Sequence, residues 1–280
     1  MFCIRLVRSV RLQKSRNFSL SSSKLDFVRS SVDQSEVDHH KQYADGWWDE
    51  NNGPMKALHS MNAIRIPFIR AGLTNTGRLK EDEINTSAQY MQGIKILDVG
   101  CGGGIMTIPL SRLGAEVTGI DPSKELIDVA KREAEARLSP DCKVQFLTTT
   151  IEEHSSSHKE LYDVIVLSEV IEHVTKKEEF IHVCVDALKP TGSIFFTTLN
   201  RTMASWLGAI VTAEYILNLV PRGTHDWEKF PTPEELQKYL DRAGCKTLLS
   251  CGILYLPLLN EWFWIPETSI NYCLHAVKQV

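Results

Sequence analysis

No Cys-x-x-Cys pair occurs in this 280-residue chain, and its seven cysteines (Cys3, Cys101, Cys142, Cys184, Cys245, Cys251 and Cys273) are odd in number. They look like the reduced thiols of a matrix or cytosolic protein. Acid is missing from the first 25 residues, while Arg5, Arg8, Arg11, Lys14 and Arg16 are basic. These arginines also interrupt any apolar run that a secretory signal would need. Serine-rich, basic and acid-free, residues 1–18 (extending to about 25) predict a mitochondrial transit peptide, with a disordered basic tail as the alternative. Of the 31 basic residues these five leave 26 against 35 acidic ones, so the rest of the chain carries −9. So acidic a body excludes a phosphate-backbone binder, and nothing resembling an NPPY base-stacking motif follows the fourth predicted strand. Internal repeats are also missing.

The most informative segment is IKILDVGCGGG, Ile94 to Gly104, followed by EVTGID ending at Asp121, 21 residues after Gly100. A β-branched run that breaks into glycines and continues as a helix is a strand–loop–helix nucleotide turn. An acidic residue at that distance suits ribose hydroxyls. The third glycine of G-x-G-x-x-G is missing, because position 105 is Ile. Asp98, two residues before the first glycine, would repel a pyrophosphate but welcome a ligand that brings cations. S-adenosylmethionine carries both an ammonium and a sulfonium, so the loop reads as a methyl-donor site. Asp98 is assigned to the ammonium or to the water around it.

Strands are predicted at 94–99, 116–120, 143–147, Tyr162 to Leu167, Ser193 to Thr198, 247–256 and 269–277. Helices are predicted at 105–113, 125–137, 178–188 and 233–243. This alternation predicts an α/β fold: a doubly wound, seven-stranded, mostly parallel sheet in a three-layer α/β/α sandwich. Residues 26–90 form an N-terminal helical region, with helical material from Trp47 to Gly72, and 91–280 form the catalytic domain.

Glu169, Glu172 and His173 lie in SEVIEHV at the end of the fourth strand. The segment is expected to enter a helix there, and spacings of three and four residues place all three on one face, where they would bind Mg²⁺, Mn²⁺ or Zn²⁺. The alternative is a pair of first-turn acids stabilised by the helix dipole, with His173 acting alone as a base. Thr148-Thr149-Thr150 replaces the acid that many such folds use to read an adenine amine, and that contact stays unassigned.

DVGCGGG, SEVIEHV and ALKPTGS resemble class I methyltransferases in general. WWDENNGPMKALHSMNAIR at 47–65 and VPRGTHDWEKF at 220–230 are narrower, and with the others they resemble the ubiquinone-biosynthesis O-methyltransferase family, in its mitochondrial form given the leader. The resemblance implies methylation of catechol-type hydroxyls on polyprenyl dihydroxybenzoate and demethylubiquinol. It places S-adenosylmethionine on Arg65, Gly100, Asp121 and Ser168, and a divalent cation, Mg²⁺ first, on Glu169, Glu172 and His173. It also implies a peripheral place at the matrix face of the inner membrane, within a multi-protein complex. Another small phenol or a lipid amine is the alternative acceptor, and a cofactor-binding scaffold the alternative class. Finally, Met203 to Val220, within an expected helical lid at 200–230, is apolar but interrupted by Glu214 and Asn218. It reads as an interfacial lid that admits an isoprenoid tail, with an ordinary buried lid helix as the alternative.

Overall fold

A computed structural model describes residues 43–202, 205 and 227–280. The predicted leader, the stretch up to residue 42 and nearly all of the predicted lid lie outside the described residues.

Eight strands form one sheet in the order β3-β2-β1-β4-β5-β8-β6-β7. They are β1 (Lys95–Val99), β2 (Glu116–Asp121), β3 (Val144–Thr148), β4 (Tyr162–Ser168), β5 (Leu188–Leu199), β6 (Cys245–Leu256), β7 (Glu261–Ile265) and β8 (Asn271–Lys278). The first five pair in parallel; β8 runs antiparallel to both β5 and β6, and β7 turns back along β6. The helices are α1 (Lys56–Asn75), α2 (Glu81–Thr86), α3 (Thr107–Arg112), α4 (Lys124–Arg137), α5 (Ile151–Ser157), α6 (Lys177–Ala187) and α7 (Pro233–Arg242). The expected α/β sandwich stands, with eight strands in place of the predicted seven.

The alternation along β4 shows how the sequence builds the layers. Val164 and Val166 point to one face and pack with Ile64, Phe68, Ile69 and Leu73 of α1. Ile165 and Leu167 point to the other, against Phe180, Ile181 and Cys184 of α6 and Leu236 and Leu240 of α7. A strand covered on both faces needs an unbroken apolar run, which is why YDVIVL shows no polar alternation. Helix starts are fixed by Ser123, Thr150 and Thr232, each accepting a backbone N–H three residues on, and Glu235 completes a capping box with Thr232.

Two boundaries depart from the sequence reading. The fifth strand starts at Leu188, where Tyr162 pairs with it before a register shift, so α6 ends at Ala187 and Pro190 and Gly192, expected to stop it, lie within the strand. The loop from Gly100 delays α3 to Thr107.

What positions a site is the order of strands. β1 lies between β2 and β4, so the chain leaves β1 in one direction and, after β3, returns on its other side. The carboxyl ends of β1, β2 and β4 therefore border the crevice where ligands of open α/β sheets bind.

Candidate active site

Asp98 is buried near the end of β1, and its Oδ2 accepts from Thr107 Oγ1 at 2.6 Å. Burial raises its pKa to about 6, against the pull of the Thr107 hydrogen bond and the charge of Arg65. Gly100 follows with φ +69, and a Cβ there would lie 2.6 Å from Val170 Cγ2. The turn itself is tied to β2, since the N–H groups of Gly100 and Cys101 both donate to Ile120 O.

Asp121 ends β2. Gly102 N–H donates to its Oδ2 at 3.0 Å and Ser123 N–H to its Oδ1 at 2.8 Å. Desolvation raises this carboxyl to about 6 as well, although both backbone donors favour the ionised form. Each oxygen keeps lone-pair capacity for a ligand hydroxyl.

Arg65 comes from α1 and is almost wholly buried. It donates through Nη1 to Ser168 Oγ and through Nη2 to Leu58 O and Asn62 Oδ1, all at 2.6 Å. Its Nε has no acceptor. Burial lowers its pKa to about 10, opposed by Glu169 and Asp98, so it remains a cation at neutral pH. Ser168, the last residue of β4, shares a further 2.8 Å hydrogen bond with Thr197 on β5.

Glu169 to His173 is not the helical face that the spacing predicts. Glu169 takes φ +56, its N–H donates to Thr197 O as if the sheet continued, and Ile171–His173 is a single 3₁₀ turn. The next helix begins only at Lys177. Among the described residues no group of three His, Cys, Asp or Glu side chains converges as a metal cluster, so the predicted trio is not assembled as one. The two glutamates nonetheless interact. Burial and the neighbouring Glu172 push the Glu169 carboxyl up to about 8, and its Oε1 is buried without a hydrogen-bond partner. Glu172, also buried, accepts from Thr198 Oγ1 at 2.8 Å. His173 is half-buried, and its backbone N–H donates to Val170 O. At Thr149, the N–H donates to Asp121 O, and Thr150 caps α5.

Sequence reasoning did not assign the residues that seat α1 on the glycine loop. Trp48 Nε1 donates to Gly103 O at 2.7 Å, Asn62 Nδ2 to Ile105 O at 2.8 Å, and His59 Nε2 to Trp47 O at 2.9 Å. It also passed over Thr197, Thr198 and Asn200, the polar end of β5. The change from apolar SIFF to polar TTLN was the available signal.

A sheet with this strand order, its last strand β8 inserted antiparallel between β5 and β6, and an acid closing β2 define the class I methyltransferase fold. Residues 68–250 match the family model described as a methyltransferase domain. The overall structure is similar to magnesium protoporphyrin IX methyltransferase from Synechocystis at a TM-score of 0.53 and 17% identity, covering 92% of this chain and 90% of that one. In sequence the chain is 42% identical over 267 residues to the mitochondrial ubiquinone biosynthesis O-methyltransferase of Rattus norvegicus, covering 95% of this chain and 76% of the relative. It is 41% identical over 249 residues to the ubiquinone biosynthesis O-methyltransferase of a Methylobacterium species, covering 89% and 96%. The chain belongs to the ubiquinone biosynthesis O-methyltransferase family.

Proposed function

We propose that this enzyme moves a methyl group from S-adenosylmethionine to a hydroxyl of a prenylated catechol or quinol ring, as the resemblance implies for polyprenyl dihydroxybenzoate and demethylubiquinol. The observation that carries the donor is Asp121, buried at the sheet's switch point with both oxygens aimed by backbone N–H groups. In this reading Asp121 takes the ribose hydroxyls and Gly100 lets the backbone approach. Arg65, steadied by Ser168, pairs with the methionine carboxylate, and Asp98 faces the ammonium. Ser168 also borders the bound donor.

The acceptor hydroxyl is a phenol, with a pKa near ~10, so at neutral pH it must lose its proton as the methyl moves. Transfer would break the donor's S–CH₃ bond as the O–CH₃ bond forms and leave a neutral thioether, while His173 or one of the two glutamates takes the hydroxyl proton. In-line alignment supplies much of the rate, and a covalent enzyme intermediate has no part in it.

A divalent cation, Mg²⁺ by preference, fits the donor set here. Glu169 and Glu172 are buried acids that repel each other, and Oε1 of Glu169 lacks a partner, which is a place short of positive charge. These two glutamates would hold it, and the resemblance adds His173 as the third ligand. The cation would supply charge that favours the phenolate.

The acceptor is tested by following labelled methyl transfer to a prenylated catechol beside a short phenol and a lipid amine. Preference for the prenylated ring supports the reading. Equal or better use of either of the others would replace it, and binding without transfer to any acceptor would leave a scaffold.

The place of action in this reading is the mitochondrion, peripheral on the matrix side of the inner membrane and within the biosynthetic complex. Residues 1–18 serve as the leader, and recovery of the protein in the cytosol with Met1 retained would end that assignment. Among the described residues no helix is long and apolar enough to cross a membrane. Contact therefore falls to the lid, where Trp206 and Tyr215 suit an interface. Replacing Trp206 and Leu207 with acids should release the protein from floated liposomes. Retained flotation would leave the lid as an ordinary cover.

A further inference from the structure

We infer that Trp47 is a methyl-donor-binding residue, its indole N–H donating to the carboxylate of the donor's amino-acid arm beside Arg65. The inference rests on the S-adenosylmethionine reading above.

Trp47 precedes α1 and is 5% exposed, packed with Ile105, Leu126 and Val129. Its ring lies directly on the glycine loop. A Cβ at Gly102 would meet Cζ2 at 2.6 Å, and a Cβ at Gly103 would meet Cδ1 at 2.4 Å and Nε1 at 2.7 Å. Gly103 has an ordinary φ, so what requires glycine there is the tryptophan and not the turn.

The indole N–H then lacks a partner. Trp48 Nε1 donates to Gly103 O and Trp262 Nε1 to Ala57 O, but Trp47 Nε1 is buried with no acceptor. An indole is a donor only, so nothing except an added acceptor can satisfy it. No acceptor of the protein meets the indole: Asp98 accepts from Thr107, Asp121 from Gly102 and Ser123, Ser168 from Arg65 and Glu172 from Thr198, and Glu169 Oε1, itself without a partner, does not reach it. Arg65 Nε is likewise an unmatched donor, and Arg65 is linked to the surroundings of the ring: its Nη2 donates to Asn62, whose Nδ2 donates to Ile105 O, and Ile105 packs with Trp47. Two buried donors without acceptors, one neutral and one cationic, call for an anion with two oxygens. The donor molecule offers one such group. Its ammonium and sulfonium cannot accept, and its ribose hydroxyls are directed to Asp121.

The test measures binding of two ligands to the full chain. S-adenosylhomocysteine has the amino-acid arm, whereas methylthioadenosine keeps the adenosine and thioether but lacks the carboxylate and ammonium. Trp47→Phe keeps an aromatic ring on the loop and removes the N–H. Calorimetry should show S-adenosylhomocysteine binding weakened about tenfold or more, as for other hydrogen bonds to a charged group. Methylthioadenosine should bind within twofold of wild type, and the unliganded variant should melt no lower. Unchanged S-adenosylhomocysteine affinity would overturn the inference, and so would equal weakening of both ligands, which makes the ring a wall and not a donor. Wild-type protein that binds neither ligand would instead overturn the donor-site reading itself. If the variant does not fold, the Trp47 indole proton of wild type decides by NMR. It should shift downfield with S-adenosylhomocysteine and not with methylthioadenosine, and the absence of that difference would overturn the inference.

Discussion

Asp121→Ala is expected to weaken S-adenosylhomocysteine binding by about a hundredfold or more, since a hydrogen bond to a charged group contributes about 1.5–3 kcal/mol and two hydroxyls lose their acceptor. Asp121→Asn keeps an oxygen for one backbone donor and should fall between the two. Titration at several pH values adds a signature. Asp98 and Asp121 both have native carboxyls raised to about 6, above their ordinary values, because burial penalises the charge. An acid raised in this way stabilises the folded, unliganded chain at pH below about 4, and that contribution is lost as pH rises through 6. A ligand with an ammonium group and hydroxyls to donate prefers both acids ionised. Affinity should therefore climb from pH 5 to 7 in wild type, and climb less in Asp121→Ala. Calorimetry giving a flat profile in wild type, or an alanine variant that binds normally, would remove Asp121 from the site.

The second large effect concerns the acidic pair. Stripping the enzyme with a chelator should abolish methyl transfer, and Mg²⁺ or a similar hard cation should restore it. Glu172→Gln keeps an oxygen to accept from Thr198 but removes a charge, and it should lower kcat about a hundredfold while S-adenosylhomocysteine affinity stays within twofold. Proton release gives an independent reading. The Glu169 carboxyl, held up at about 8 by burial and by Glu172, is mostly protonated at pH 7, so cation binding at that pH must expel a proton. Titration in buffers of differing ionisation enthalpy would measure it. Full activity in metal-free enzyme would make both glutamates structural acids and leave His173 as the base.

The central strands of the parallel half were legible because they are buried on both faces, and YDVIVL and KILDV announce that in composition. β7 was not. Its turn, Pro257 to Asn260, has no glycine, and the left-handed position is filled by Asn260 at φ +51. Leu258 and Leu259 in that turn are exposed, so apolar residues occur where a turn predicts polar ones. The placement of Asp98, Gly100 and Asp121 at the ends of β1 and β2 was readable because it depends on spacing within one strand–loop–strand unit. SEVIEHV misled for the opposite reason. Its spacing is helical, but Val170 must close over Gly100, and Glu169 turns left-handed as its N–H extends the ladder to Thr197. The partners of Trp48 and Asn62 lie 55 and 43 residues away, across contacts no local pattern encodes.

Arg65 and Ser168 are 103 residues apart and meet at 2.6 Å. During synthesis the guanidinium leaves the ribosome long before the strand that receives it, and the packing of α1 is complete only when β4, β5 and β7 have arrived. Closing so long a loop is slow compared with local helix formation. The nascent chain thus carries its glycine turn early but completes the surrounding cradle late, and the capacity to capture the methyl donor comes with the finished fold instead of with any fragment of it.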